Sequence, residues 1–209
     1  MKSLMKSQKL KRIIDVIGAL IGLVVFFPIM LIVAFVIYIT MGKPIFFKQI
    51  RAGKDGEPFT IYKFRSMLDI VDQDGNPLPD DERLTKTGKI LQRFRLDELP
   101  ELYNILKGDM SFIGPRPTLI EQISSYNNFQ KNRLKFRPGL TGWAQVNGNT
   151  MLSWNDRILL DVWYIDHWSL LLDLKIIMYT IDVVLRGERI NFKALEEANR
   201  YEIYTHRSG

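Results

Sequence analysis

The chain has 209 residues, a formal net charge of +6, 46% hydrophobic residues and no cysteine. That length suits one catalytic domain plus one membrane segment, and the missing cysteine excludes disulfides and thiolate metal sites. The two histidines, His167 and His206, lie too far apart in sequence to suggest a His-rich zinc site or a Ser-His-Asp triad. The basic balance suits nucleic acid, anionic lipid or phosphorylated substrates without choosing between them.

Residues 13–41 are apolar apart from Asp15, Tyr38 and a few small residues. As one straight helix this run would extend roughly 44 Å, at about 1.5 Å per residue, against a hydrocarbon core of about 30 Å. It is too long for a signal-peptide core and has no Ala-x-Ala cleavage site. Pro28 sits at its middle, where a proline removes a helix hydrogen bond and crowds the preceding turn, so a kink is expected. Both flanks are basic: Lys2, Lys6, Lys9, Lys11 and Arg12 before, Lys43, Lys48, Arg51 and Lys54 after. Positive charge marks the cytoplasmic side, so a re-entrant run with both ends cytoplasmic is one reading, and the less common arrangement. A kinked spanning helix fits the same residues.

A linker at Gly42-Lys43-Pro44 leads into two short strands, 44–49 and 58–64, joined by a turn at Lys54-Asp55-Gly56. Alternation puts Lys63 and Arg65 on one face of the second strand. Residues 69–81 carry Asp-Gly, Asn-Pro and Pro-Asp signals and read as a loop. Residues 87–106 read as helix interrupted near Asp97, because Pro100 belongs in a first helical turn. Residues 108–117 look irregular, 118–134 helical and 137–148 a loop. Residues 154–185 read as helix, rich in Trp154, Trp163, Tyr164 and Trp168. Such rings suit a membrane–water interface, although a buried core helix explains them equally well. Asp173, Lys175 and Asp182 do not share one face, so no clean amphipathic helix is expected. Residues 188–209 are polar and expected to be peripheral.

The densest chemical candidate is Arg93-Phe94-Arg95-Leu96-Asp97-Glu98-Leu99-Pro100. Arginines favour ionised carboxylates, and an ionised aspartate can attack phosphorus. A divalent ion on a neighbouring carboxylate would offset the phosphate charge. Alone, however, Asp97 also reads as a helix N-cap and Glu98 as a solvated first-turn acid. Arg116, fixed between Pro115 and Pro117, offers a planar fork matched to phosphate oxygens.

Taken together these stretches resemble the bacterial sugar transferase family, the small monotopic phosphoglycosyl transferases. The resemblance is carried by Lys11-Arg12-Ile13-Ile14-Asp15, by Pro28 in the apolar run, and by Ile61-Tyr62-Lys63-Phe64-Arg65-Ser66-Met67. It continues through Leu96-Asp97-Glu98-Leu99-Pro100, the long stretch from Leu106-Lys107-Gly108-Asp109-Met110-Ser111 to Gly114-Pro115-Arg116-Pro117, and Arg137-Pro138-Gly139-Leu140-Thr141-Gly142-Trp143. It implies that Asp97 attacks the β-phosphate of a UDP-sugar, releasing UMP, and that polyprenyl (undecaprenyl) phosphate then collects the sugar phosphate. It also implies magnesium near Asp97 and Glu98, with Glu98 the favoured ligand. Lys63, Arg116 and Arg137 become substrate or phosphate contacts, and Lys11, Arg12 and Pro28 membrane determinants.

The expected fold is α/β, mixed α+β and mainly helical. A re-entrant membrane helix over 1–42 precedes a small cytosolic catalytic domain with interfacial helices over 43–187, and 188–209 form a polar tail. Expected partners are the UDP-sugar, polyprenyl phosphate and membrane phospholipid. Homo-oligomer formation is open, and no nucleic-acid partner is expected. The location is the cytoplasmic membrane, with the catalytic domain on its cytoplasmic face. Two positions depart from the family pattern: Phe27 stands where many members carry serine before the proline, and Gln92 where many carry arginine. The extra membrane helices of larger members are missing, so the minimal form is expected.

Overall fold

A computed structural model describes the backbone of residues 2–207 and the side chains of residues 8–203. The side chains of Lys2, Lys6 and His206 lie outside the described residues. The first element, α1, is a helix of 40 residues, Lys2–Met41, and Pro28 lies inside it. It is long and apolar enough to cross a membrane. Helical structure continues through Pro28 rather than breaking there.

The two arms of α1 rest on the same body. In the first arm, Ala19 packs with Phe59, Ile61, Leu102, Ile105 and Met110. In the second, Val33 and Ile37 pack with Phe64 and Leu91. Residues 24–29, between the arms, are all exposed and all apolar. Close approach in the first arm depends on small residues. A Cβ on Gly18 would come within 2.8 Å of the Phe112 ring, and one on Gly22 within 3.2 Å of Leu102.

Polar groups fix the helix at both ends. Lys11, expected to face the membrane surface, is buried in a 2.5 Å ion pair with Asp173. Arg12 donates to the carbonyls of Ile105 and Leu106. These two cations therefore dock the helix onto the protein. At the far end the buried Arg65 donates to the carbonyls of Met41, Gly42 and Lys43, meeting the acceptors that a helix C-terminus leaves open.

The strands β1 (Phe46–Ala52) and β2 (Pro58–Phe64) form an antiparallel hairpin, with Phe46 opposite Phe64. Next come the short helix α2 (Asp80–Arg83), α3 (Lys86–Arg93), a 3-10 turn over Leu96–Glu98, and α4 (Glu101–Lys107). The interruption at Asp97 thus lies where Pro100 calls for it. The segment 108–117 includes a strand, β3 (Ser111–Ile113), parallel to β4 (Gly139–Thr141).

The helix expected over 118–134 shrinks to α5 (Ile120–Ile123) and a 3-10 stretch, Gln130–Lys135. The reason is local competition for backbone groups. Ser124 and Ser125 hydroxyls donate to the Glu121 and Gln122 carbonyls, and Asn127 Oδ1 accepts from the Gln130 N–H.

After α6 (Trp143–Val146), the stretch expected as one helix is two: α7 (Trp154–Asp166) and α8 (Leu170–Arg186). Ser169 caps the second by accepting from Leu172 N–H. Tyr164 belongs to the core rather than an interface, fully buried, with its hydroxyl donating to Asp173 at 2.6 Å. As expected, Asp173 is buried while Lys175 and Asp182 are exposed, so the three do not share a face; the exposed side of α8 nevertheless carries an apolar row formed by Leu171, Leu174, Met178, Ile181 and Leu185. The polar segment expected at the periphery instead folds as α9 (Phe192–Arg207). Its Ala194 and Ala198 are buried in the core cluster that holds Leu160 and Tyr164 of α7.

Replacing Arg65 by alanine should lower stability by about 2 kcal/mol or more, because several carbonyls lose a charged donor. Thermal unfolding in detergent micelles would measure it, and an unchanged midpoint would mean that Arg65 does not hold the end of α1.

Candidate active site

The turn carrying Asp97 and Glu98 is aimed by an unusual backbone. Arg95 adopts a left-handed conformation at φ 56° and ψ 23°, which few non-glycine residues do. Such conformations cluster at functional sites. The chain thereby reverses between α3 and the turn, and both carboxylates point inward, 7% and 5% exposed.

Glu98 is saturated with positive charge. Its Oε1 lies 2.7 Å from Lys63 Nζ, 3.1 Å from Arg116 Nη2 and 3.8 Å from Arg95 Nη1. Lys63 also reaches Glu101 Oε1 at 3.1 Å. Burial works against the charge on Glu98, but Lys63, Arg116 and Arg95 outweigh it and hold the carboxyl below its ordinary range. Glu101 moves the other way: burial pushes it up, and the charge of Glu98 adds to that against the pull of Lys63. Asp97 is also raised, by burial first and then by Glu98, with Lys63 and Arg95 restraining the rise. Its Oδ1 is buried without a hydrogen-bond partner.

Of the residues singled out from sequence, Asp97, Glu98, Lys63 and Arg116 come together. Arg137 is placed apart: its Nε donates to the Gly108 carbonyl at 2.7 Å, and it lines a small cleft with Lys11, Arg12 and Asp15. Arg65, one alternation step from Lys63, turns to the end of α1 instead. Gln92 donates to Ser66 Oγ at 3.0 Å.

Sequence reasoning missed two members. Glu101 shares Lys63 with Glu98, and their three-residue spacing across a helix start was the available signal. Arg133 is buried, pairs with Asp161 at 2.6 Å and donates to the Arg116 carbonyl at 3.2 Å, which steadies the Pro-Arg-Pro segment. Nothing local in sequence announced that contact.

Two cavities of opposite character meet at this cluster. One, of about 500 Å³, is apolar, lined by Phe26, Leu102, Phe112, Ile177 and Val184, and ends on Glu98 and Arg95. The other, of about 380 Å³, is basic; it shares Arg95 with the first and is also lined by Arg116. Among the described residues no group of three or more His, Asp or Glu could hold a metal ion by itself. The donor set still accommodates a hard cation: Asp97 Oδ1 is without a protein partner, and magnesium commonly takes only one or two carboxylates when phosphate oxygens supply the rest. Glu98, the ligand favoured from sequence, is engaged by three cations and fits that role less well than Asp97.

Residues 6–187 match the model of the family described as bacterial sugar transferase. An uncharacterized sugar transferase of Bacillus subtilis, EpsL, is 48% identical over 181 residues, covering 87% of this chain and 90% of that one. Two longer relatives have named activities. The UDP-N-acetylgalactosamine-undecaprenyl-phosphate N-acetylgalactosaminephosphotransferase of Aeromonas hydrophila is 41% identical, over 85% of this chain and 44% of its own. The UDP-glucose:undecaprenyl-phosphate glucose-1-phosphate transferase of Klebsiella pneumoniae is 39% identical, over 82% and 39%. The chain thus spans under half of those two proteins. With the matched segment covering the arms of α1, the acidic pair and the apolar cavity, the chain belongs to the bacterial sugar transferase family.

Proposed function

We propose that the protein transfers a sugar phosphate from a UDP-sugar to polyprenyl phosphate through a covalent intermediate on Asp97, the first membrane step of glycan assembly. The observation that carries this is the unequal acidic pair: Glu98 has its charge matched by three cations, and Asp97 keeps a buried oxygen without a partner. A carboxylate oxygen of Asp97 attacks the β-phosphorus. The bond from that phosphorus to the bridging oxygen breaks, and UMP leaves with the electron pair. The sugar phosphate is then held as an acyl phosphate. A phosphate oxygen of the polyprenyl acceptor attacks the same phosphorus, freeing the carboxylate and giving polyprenyl diphosphate sugar.

Arg116, with a side chain 39% exposed, and Lys63 are available to share the charge of the transferring phosphate. Magnesium at Asp97, with the donor's phosphate oxygens, would neutralise charge on the diphosphate. Arg137 serves as an anion contact only at its own cleft beside Lys11 and Arg12. The apolar cavity suits the prenyl chain of the acceptor.

The same reading makes the protein monotopic, with α1 re-entrant at the cytoplasmic membrane and the catalytic domain on its cytoplasmic face. Support comes from both arms of α1 contacting one body while the apolar residues 24–29 have no protein cover. The apolar stripe of α8 would lie on phospholipid as well.

Asp97→Asn should abolish turnover. With donor alone, the native enzyme should release about one UMP per molecule, and intact-protein mass spectrometry should detect the sugar-phosphate adduct. UMP release that strictly requires acceptor, with no adduct, would mean direct attack by the lipid phosphate.

In the metal-free protein Asp97 should titrate above an ordinary aspartate, because burial and Glu98 raise its pKa. Arg95→Gln removes a charge that lowers this pKa, so the carboxyl signal followed by carbon NMR without magnesium should titrate at still higher pH. A titration at or below that of an ordinary aspartate would mean that burial and Glu98 do not govern Asp97.

The chain has no cysteine of its own, so single cysteines at positions 9 and 43 can be labelled cleanly. Both should react with an impermeant maleimide only from the cytoplasmic side of sealed inverted vesicles. Labelling from opposite sides would replace the re-entrant arrangement with a span.

A further inference from the structure

The basic cavity holds an unusual occupant. Lys89, Arg93, Arg95, Arg116 and Arg157 line it, and Glu188 is the one carboxylate among its lining residues. That carboxylate accepts from Asn149 Nδ2 at 2.5 Å, Thr150 Oγ1 at 2.5 Å, Thr150 N–H at 3.2 Å and Arg95 Nη2 at 3.2 Å. A backbone N–H, an amide, a hydroxyl and a guanidinium converging on one anion form the donor set that a phosphate group takes. Burial works against the Glu188 charge, yet hydrogen bonds from Thr150 and Asn149 hold its pKa below the ordinary value. The cradle therefore selects for negative charge.

Its position matters as much as its chemistry. Arg95 bridges Glu188 and Glu98, and so links the cradle to the acidic pair. If Asp97 attacks a β-phosphorus, the α-phosphate lies one bridging oxygen away and the nucleoside lies beyond it. The apolar cavity has Arg95 as its one cation among mostly aliphatic and aromatic lining, whereas Lys89, Arg93, Arg95, Arg116 and Arg157 all line the basic cavity, which therefore suits that half of the molecule better. Glu188 is also placed to leave. It follows Gly187, which ends α8 at φ 88° with open space around its Cα, and it lies in the irregular link to α9.

We propose that Arg95, Asn149 and Thr150 cradle the nucleoside 5′-phosphate half of the donor, and that Glu188 is an internal stand-in which this phosphate displaces. The inference rests on the reaction proposed above. Where a site must first shed its own occupant, apparent affinity is reduced by the fraction of molecules already open. Weakening the occupant raises that fraction.

The test is calorimetric titration of UMP onto the full chain in detergent. Glu188→Gln keeps the shape and removes the charge, and should bind UMP about threefold tighter or more. Uridine, without a phosphate, should bind both proteins alike. Thr150→Val deletes a donor on an exposed side chain. Asn149→Gly deletes another at φ 42°, a backbone conformation glycine adopts freely. Placed in the Glu188→Gln protein, where no competing carboxylate remains, each should bind UMP about threefold weaker or worse than Glu188→Gln alone.

Unchanged or weaker UMP binding by Glu188→Gln would overturn the displacement. If that variant does not fold, Glu188→Ala takes its place, and Thr150→Val added to it that binds UMP as tightly as this background would overturn the cradle itself. Native enzyme that releases UMP from a UDP-sugar while all variants bind UMP alike would sink this inference alone. The expected affinities without any UMP release would support the cradle and sink the reaction.

Discussion

The structure turns on one oxygen atom. Glu98 Oε1 gathers Lys63, Arg116 and Arg95, which approach from β2, the Pro-Arg-Pro segment and the left-handed residue before the turn. A buried carboxylate without such partners would be very costly, and removing one partner from a buried cluster costs several kcal/mol. Glu98 thus ties three chain segments to one point. It also sets its neighbour apart. With these cations turned toward Glu98, Asp97 is left as the poorly solvated and poorly bonded acid of the pair. Cohesion thus falls on Glu98, and a buried oxygen without a partner on its neighbour.

The same division appears in α1. Its inward side is held by specific polar contacts: Lys11 to Asp173, Asp15 to Ser111 and the Phe112 N–H, and Arg65 to the final carbonyls. Between Ile13 and Phe35 its exposed residues are all apolar, and lipid is the suitable solvent for them. The helix is part of the folded domain along much of its length rather than a tether joined at one end.

Sequence legibility followed the range of the interactions. The hairpin, the break at Asp97 and the apolar helix rest on local signals: alternation, a proline in a first turn, an unbroken apolar run. The adjacency of Asp97 and Glu98 was visible as well. Failures came where distant or side-chain-to-backbone contacts decide. Ser124, Ser125 and Asn127 undid a helix over 118–134, and small residues buried α9 despite its polar composition. Lys11 and Arg12 looked like charges for a membrane surface because their partners, Asp173 and the Ile105 and Leu106 carbonyls, lie far along the chain. Alternation paired Lys63 with Arg65, but could not tell that one would reach a carboxylate while the other, just past the end of β2, would reach a helix end.

That last pair has a geometric corollary. Two residues of a strand advance about 7 Å, so the terminus of the apolar helix and the ammonium that grips Glu98 belong to one stiff stretch of backbone. Whatever depth the bilayer imposes on the helix is passed to the acidic pair with little slack. β2 acts as a gauge that fixes the distance between the end of α1 and the acidic pair.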